Sequence, residues 1–266
     1  MPLRSLLTNS ACWWRRAALD LFFPPACVCC GEFKTAEDAQ ANDQIPGSEF
    51  SPLVCRTCRV ALIADMRAGC RRCGGPPDAI DPSGACRLCR HDRFSFAGVA
   101  TLGIYEGRLA VLIDRTKQPA GSAVAAGLGE LLFGPWIERT EGRRFDFVTA
   151  VPPHRWGLLG TSTVRHGPEI MAGRLARLLK TPHLRRLLRW GRPVGRQAEL
   201  PPDERRRNVK GAMRLAAGYA IDGACVALVD DVLTTGATAD EAARRLKRAG
   251  VAEVFVAVAA RGIGKT

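Results

Sequence analysis

The run Ala224-Cys225-Val226-Ala227-Leu228-Val229-Asp230-Asp231-Val232-Leu233-Thr234-Thr235-Gly236-Ala237-Thr238-Ala239-Asp240 decides the fold. Its first part, Ala224 to Val229, is short, apolar and bounded by Gly223, which predicts a strand buried on both faces. From about Asp240 to Ala249 the pattern turns helical and is closed by Gly250. Between strand and helix lie two adjacent carboxylates and then a bend of threonine, glycine and alanine. Strand, short loop and helix in this order belong to an α/β protein, whose ligands collect at the carboxyl ends of parallel strands.

That bend has a definite chemistry. Backbone N–H groups and threonine hydroxyls, set at the positive end of a helix dipole, suit a phosphate monoester. Gly236 lets the backbone approach the anion closely. Asp230 and Asp231 would repel a phosphate, so they serve something else. Adjacent carboxylates at a strand end suit the vicinal hydroxyls of a ribose, or a Mg²⁺ ion held near it. Phosphate, ribose diol and Mg²⁺ together describe a 5-phosphoribosyl group.

Working outward, 266 residues suffice for one good core and predict two domains. Hydrophobic residues make up 47% of the chain, which excludes a disordered protein. No run of eighteen apolar residues occurs, so no transmembrane helix or membrane partner is expected. The formal charge is +13, from 39 Lys and Arg against 26 Asp and Glu, a balance that favours polyanions or a phosphorylated substrate.

Of 11 cysteines, nine fall between Cys27 and Cys89. They form four short-spaced pairs: Cys27 with Cys30, Cys55 with Cys58, Cys70 with Cys73, and Cys86 with Cys89. Thiolates at this spacing suit Zn²⁺ in a reducing compartment, so the protein is expected to be cytoplasmic. Four pairs make two Cys₄ sites, joined either in sequence or interleaved. Cys29 is the odd residue and competes with Cys27 as a ligand. No His or carboxylate stands at a knuckle position, so the zinc is structural. Arg56, Arg59, Arg71, Arg72, Arg87 and Arg90 lie in or beside the knuckles. They either touch nucleic acid or offset the −2 charge of each tetrathiolate.

Before the knuckles, residues 1–23 predict an amphipathic helix ended by Pro24-Pro25, since Arg15, Arg16 and Asp20 interrupt any signal-peptide core. Residues 34–50 predict a polar insertion. After the knuckles, Phe94–Tyr105 predicts a strand or hairpin, Arg108–Arg115 a helix, and 122–133 a small-residue helix ending at Gly134-Pro135. Phe145–Val151 predicts a second buried strand, 170–180 an amphipathic helix and Val251–Ala260 a last strand, with a tail from Arg261. The most basic stretch holds Arg185, Arg186, Arg189, Arg192, Arg196, Arg205, Arg206, Arg207, Lys210 and Arg214. Its guanidinium groups suit a leaving diphosphate or a nucleic-acid backbone, and only Trp190 lies among them to stack on a base.

Val229-Asp230-Asp231-Val232-Leu233-Thr234-Thr235-Gly236-Ala237-Thr238 resembles the phosphoribosyl diphosphate (PRPP) motif of type I phosphoribosyltransferases. Leu21-Phe22-Phe23-Pro24-Pro25-Ala26-Cys27 with its cysteine pairs, and Arg205-Arg206-Arg207-Asn208-Val209-Lys210-Gly211-Ala212-Met213, resemble segments of the ComF/GntX family. The resemblance implies a double zinc ribbon over 24–92 and a phosphoribosyltransferase-like domain over 93–266, a mostly parallel sheet flanked by helices. It implies Asp230 and Asp231 as catalytic acids and Thr234 to Thr238 as the 5′-phosphate loop. Lys117, Arg165, Arg205 and Arg206 would bind phosphate or pyrophosphate, with Arg205–Met213 as a closing loop. Lys117 matches the family's lysine, although Gln118 replaces an aromatic residue. Arg165-His166-Gly167-Pro168-Glu169 stands where the family has Arg-Gly-Phe-Asn-Gln, so two amide side chains are missing. ComF proteins are associated with the uptake and processing of single-stranded DNA, in company with helicases and recombination factors. The expected function is therefore phosphoribosyl transfer from PRPP and Mg²⁺ linked to DNA uptake, or single-stranded DNA binding without catalysis.

Overall fold

The computed structural model describes residues 24–35, 37–38, 53–64, 66–153, 166–195 and 201–263. The helix expected over 1–23, most of the 34–50 insertion, and Arg165 and Arg196 lie outside these residues. In chain order the elements are α1 (Arg56–Leu62), β1 (Gly98–Ile104), α2 (Gly107–Arg115), α3 (Ser122–Leu131), α4 (Phe133–Thr140), β2 (Phe147–Ala150) and α5 (Gly167–Leu179). They continue with β3 (Leu188–Trp190), α6 (Pro202–Val209), β4 (Met213–Leu215), β5 (Cys225–Leu233), α7 (Ala237–Lys247) and β6 (Glu253–Arg261).

Four strands form a parallel sheet in the order β1-β6-β5-β2. Alternate residues of a strand face opposite ways, and here each set meets its own core. Ala227, Val229, Ala257 and Ala259 pack with side chains of α2, α3, α4 and α5. Val226, Leu228, Val254, Val256 and Val258 pack with Ala239, Ala242, Ala243 and Leu246 of α7. Burial on both faces is why these strands read as unbroken apolar runs. The second core also takes Leu188 and Met213 from β3 and β4, a short antiparallel ribbon.

The first cysteine group is part of the larger core: Cys27, Cys55 and Cys58, with Cys30 packed against them and the neighbouring Cys29, join the same cluster as Leu102, Leu128 and Trp136. A polar tie reinforces this. The fully buried Glu130 of α3 accepts the Leu53 N–H at 3.1 Å, Arg59 of α1 at 2.9 Å, and Arg174 of α5. Beside it, Gly129 allows α3 and α5 to touch, since a Cβ there would stand 2.6 Å from the Met171 carbonyl. Cys70, Cys73, Cys86 and Cys89 form a separate small core with Ile80, Leu88 and Phe94.

Three expectations are revised. Gly134-Pro135 does not close a helix; it lies in the first turn of α4, where the proline's missing N–H has no intrahelical bond to lose. Arg261 is the last residue of β6 and only 4% exposed, so the tail starts later. The basic stretch, for which the pattern gave no element, contains β3, α6 and β4.

Candidate active site and cysteine centres

β5 runs through Asp230 and Asp231 to Leu233, and α7 starts only four residues later. Gly236 caps α7 with φ 76°, a left-handed conformation that glycine adopts without strain. A Cβ at this position would lie 2.9 Å from Cε1 of Phe94. Thr235 Oγ1 accepts the Ala237 N–H at 3.3 Å, and the first intrahelical bond runs from the Asp240 N–H to the Gly236 carbonyl at 2.8 Å. Asp240 is tied in turn, accepting the Ser95 N–H at 2.6 Å and pairing with Arg244.

Arg261 holds the bend from the end of β6. Its Nη1 donates to the carbonyls of Leu233 and Gly262, each at 2.6 Å, and to that of Thr234. With those carbonyls committed to a guanidinium, the bend is left to present N–H groups and hydroxyls. That is the polarity an anion needs.

The two acids part company. Consecutive strand residues project to opposite faces. Asp230 lines a pocket with residues 232–239 and Arg205 of α6, which brings together Thr234, Thr235, Gly236, Ala237 and Thr238. Asp231 instead acts on the two ends of α2, where its charge reaches Tyr105 before the helix and Lys117 after it. There the Tyr105 hydroxyl donates to Asp114 at 3.1 Å and the Lys117 ammonium pairs with Asp114 at 2.7 Å. Burial works to lower the Lys117 pKa, but the bond to Asp114 and the charge of Asp231 leave it raised.

Burial, and after it the charge of Asp231, pushes the Asp230 carboxyl well above the ordinary carboxylate range. Each acid accepts the next backbone N–H, Asp231 N–H to Asp230 at 2.9 Å and Val232 N–H to Asp231 at 2.8 Å. A cation or a pair of hydroxyl donors would relieve this crowding of negative charge.

The remaining predicted ligands are placed differently. Lys117 is near Asp231 but is not part of the pocket lining. Arg206 pairs with Asp92 beside the second cysteine group, and Arg165 lies outside the described residues. Sequence reasoning missed Arg261, Phe94, Asp114 and Asp240. Arg261 was legible only as a cation ending an apolar run, and Phe94 only as an aromatic just past the last knuckle.

The cysteines resolve into Cys27, Cys30, Cys55 and Cys58, and Cys70, Cys73, Cys86 and Cys89, so the knuckles pair in sequence. Within each group the ligand atoms all lie within 4.8 Å of one another. Sulfur separations of 3.9 Å (Cys30–Cys55), 3.6 Å (Cys70–Cys89) and 3.7 Å (Cys73–Cys86) match the edge of about 3.8 Å that a tetrahedral zinc–thiolate site requires. Backbone N–H groups of Cys29 and Cys55 donate to Cys27 Sγ, and that of Cys58 to Cys55 Sγ, each at 3.4 Å. Burial opposes a thiolate at Cys27, yet the N–H donors bring it down to about 6; in the second group a hydrogen bond donated by the Cys73 thiol brings Cys70 down to about 4. Both groups can bind zinc ions. Cys29 is not in either group, and burial first, then Cys27, pushes its thiol up to about 12.

Together these features define an α/β protein with a ligand loop at the carboxyl edge of a parallel sheet, accompanied by two tetrathiolate sites. No family model matches the chain. Its relatives by sequence include the DNA utilization protein YhgH of Salmonella typhimurium, 28% identical over 206 residues that make up 76% of this chain and 88% of that protein. Competence protein F of Haemophilus influenzae is 27% identical over 181 residues, 64% of this chain and 76% of that one. Among solved structures, adenine phosphoribosyltransferase from Thermoanaerobacter pseudethanolicus covers 53% of this chain and 82% of its own, with a TM-score of 0.33 at 16% identity. By its sequence relatives the chain is ComF-like, as the motifs led us to expect.

Proposed function

We propose that the protein binds PRPP with Mg²⁺ in the pocket at the end of β5 and transfers its phosphoribosyl group to an acceptor, in the service of DNA uptake or processing. The observation that carries this reading is the meeting, in one pocket, of Asp230, the amide-rich bend 234–238 and Arg205. The bend and the amino end of α7 would take the 5′-phosphate. Asp230 would take the ribose hydroxyls and the charge of the oxocarbenium-like transition state, and Asp231, on the other face of β5, would reach the sugar only with the rearrangement that brings in Lys117. Mg²⁺, held near the Asp230 carboxylate, would supply positive charge to balance the diphosphate. Arg205, with Arg206 and Lys117 brought in on closure, would hold the departing diphosphate. In this reading residues 24–92 are a zinc-ribbon module and 93–266 the catalytic domain. The names of the relatives support the link to DNA and to competence.

The test is titration calorimetry with PRPP and Mg²⁺, followed by release of pyrophosphate in the presence of candidate nucleobase and nucleoside acceptors. Micromolar PRPP binding that needs Mg²⁺ supports the reading, and absence of binding removes it.

A second reading, single-stranded DNA binding without catalysis, is favoured by one observation. Arg189 and Arg214 stand directly opposite each other in the β3–β4 ribbon, and both are exposed. Like charges in this register are unfavourable unless an anion joins them. If the ribbon binds a DNA backbone, Arg189→Ala with Arg214→Ala weakens DNA binding and flattens its salt dependence, while Asp230→Ala leaves both unchanged.

A further inference from the structure

Phe94 sits at the junction of the second cysteine group and the ligand bend. It packs against the core formed by Cys70, Cys73, Cys86 and Cys89. Its ring stacks on Phe96 at 4.5 Å, and its edge closes on Gly236 so tightly that no Cβ fits between them. The next residue, Ser95, donates its N–H to Asp240 in the first turn of α7. Two residues earlier, Asp92 pairs with Arg206 of α6, the helix whose Arg205 lines the pocket. On the other side, Arg261 grips the carbonyls of Leu233 and Thr234, and its charge also reaches Cys73. A tetrathiolate zinc site carries a net charge of about −2, and Arg261 is placed to answer it. The first cysteine group has a different neighbourhood, packing under α2 and α3.

We infer that Phe94 and Arg261 are positioning residues that make the shape of the ligand bend depend on the second Cys₄ site and not on the first. This rests on the PRPP reading for what the bend binds, but the coupling itself is a property of the free protein. With metal in place, the knuckle 86–89 and the segment after it are fixed, Phe94 holds Gly236 in its left-handed conformation, and α7 presents its amides. Without it, the Phe94 ring loses its support and the bend loosens.

Hydrogen exchange on the full chain tests this without requiring a ligand. Phe94→Ala should raise exchange of the amides in 233–240 by about tenfold, with little change in the centre of β5, while Phe94→Met, which fills the same space, keeps the bend protected. A measurement on the unaltered protein guards against misfolding of the variants. Zinc is withdrawn stepwise by chelator, and alkylation reports which cysteines open. Exchange at 233–240 should rise when Cys70, Cys73, Cys86 and Cys89 become reactive, and stay constant when only Cys27, Cys30, Cys55 and Cys58 do. Constant exchange in 233–240 after the second group has opened overturns the inference. Exchange that responds as stated while PRPP fails to bind leaves the coupling standing and removes the PRPP reading.

Discussion

Arg205 on α6 and Asp230 at the end of β5, 25 positions apart in sequence, line the same pocket. A cation and an acid lining one pocket with a bend rich in N–H groups fit a ligand that carries both phosphate and hydroxyl. Arg205→Ala should weaken PRPP binding by about ten- to a hundredfold, the range expected for losing a charge-assisted hydrogen bond. Ribose 5-phosphate, which lacks the diphosphate, should lose much less. Calorimetry with the two ligands separates these outcomes, and equal losses would move Arg205 from the diphosphate to the 5′-phosphate.

Asp230→Asn should stabilise the free protein and cost it its ligand. Burial and Asp231 raise the carboxyl's pKa in the fold, so ionising it works against folding at every pH above its unfolded value. The gain from the amide should grow as pH rises from about 4 through the raised pKa, and read as a Tm above the parent's. Thermal melts of both proteins across pH measure it. A variant less stable than the parent at neutral pH would show that the carboxylate is well accommodated.

Glu130 is buried between two guanidinium groups, Arg59 at 2.9 Å and Arg174. Removing the acid strands both cations, so Glu130→Ala should cost about 3–5 kcal/mol. Glu130→Gln keeps an acceptor for the Leu53 N–H and should cost less. Because Leu53 and Arg59 flank the first cysteine group, both variants should also release zinc from that site more readily, which a chelator assay detects.

The metal count follows from the knuckle pairing. The protein should hold two zinc ions; Cys29→Ser should keep both and Cys30→Ser should lose one, as read by native mass spectrometry. Cys29, buried and held as a thiol, should resist alkylation while zinc is bound.

Much of this architecture is legible in the sequence, for identifiable reasons. β5 and β6 are buried on both faces, so their apolar runs are continuous, and Gly236 marks the bend because its φ demands it. Cysteine spacing announces tetrathiolate sites, but spacing alone leaves the pairing open, since sequential and interleaved arrangements need the same residues. β3 and β4 escape notice because three-residue strands carry no period. Arg261 escapes because a cation ending an apolar run ordinarily marks the surface, whereas this one turns back under the bend. Gly134-Pro135 misleads because the same dipeptide suits both the end of one helix and the first turn of the next. The separation of Asp230 from Asp231 follows from strand geometry once β5 is seen to continue past them.

The decisive measurement is calorimetric titration of the zinc-loaded protein with PRPP in Mg²⁺, set beside Asp230→Asn and Thr235→Val. We expect micromolar binding that disappears without Mg²⁺ and falls by at least about tenfold in each variant. PRPP binding that is undiminished in both variants, or no binding by the parent protein, would contradict the assignment of the β5–α7 bend as the sugar-phosphate site.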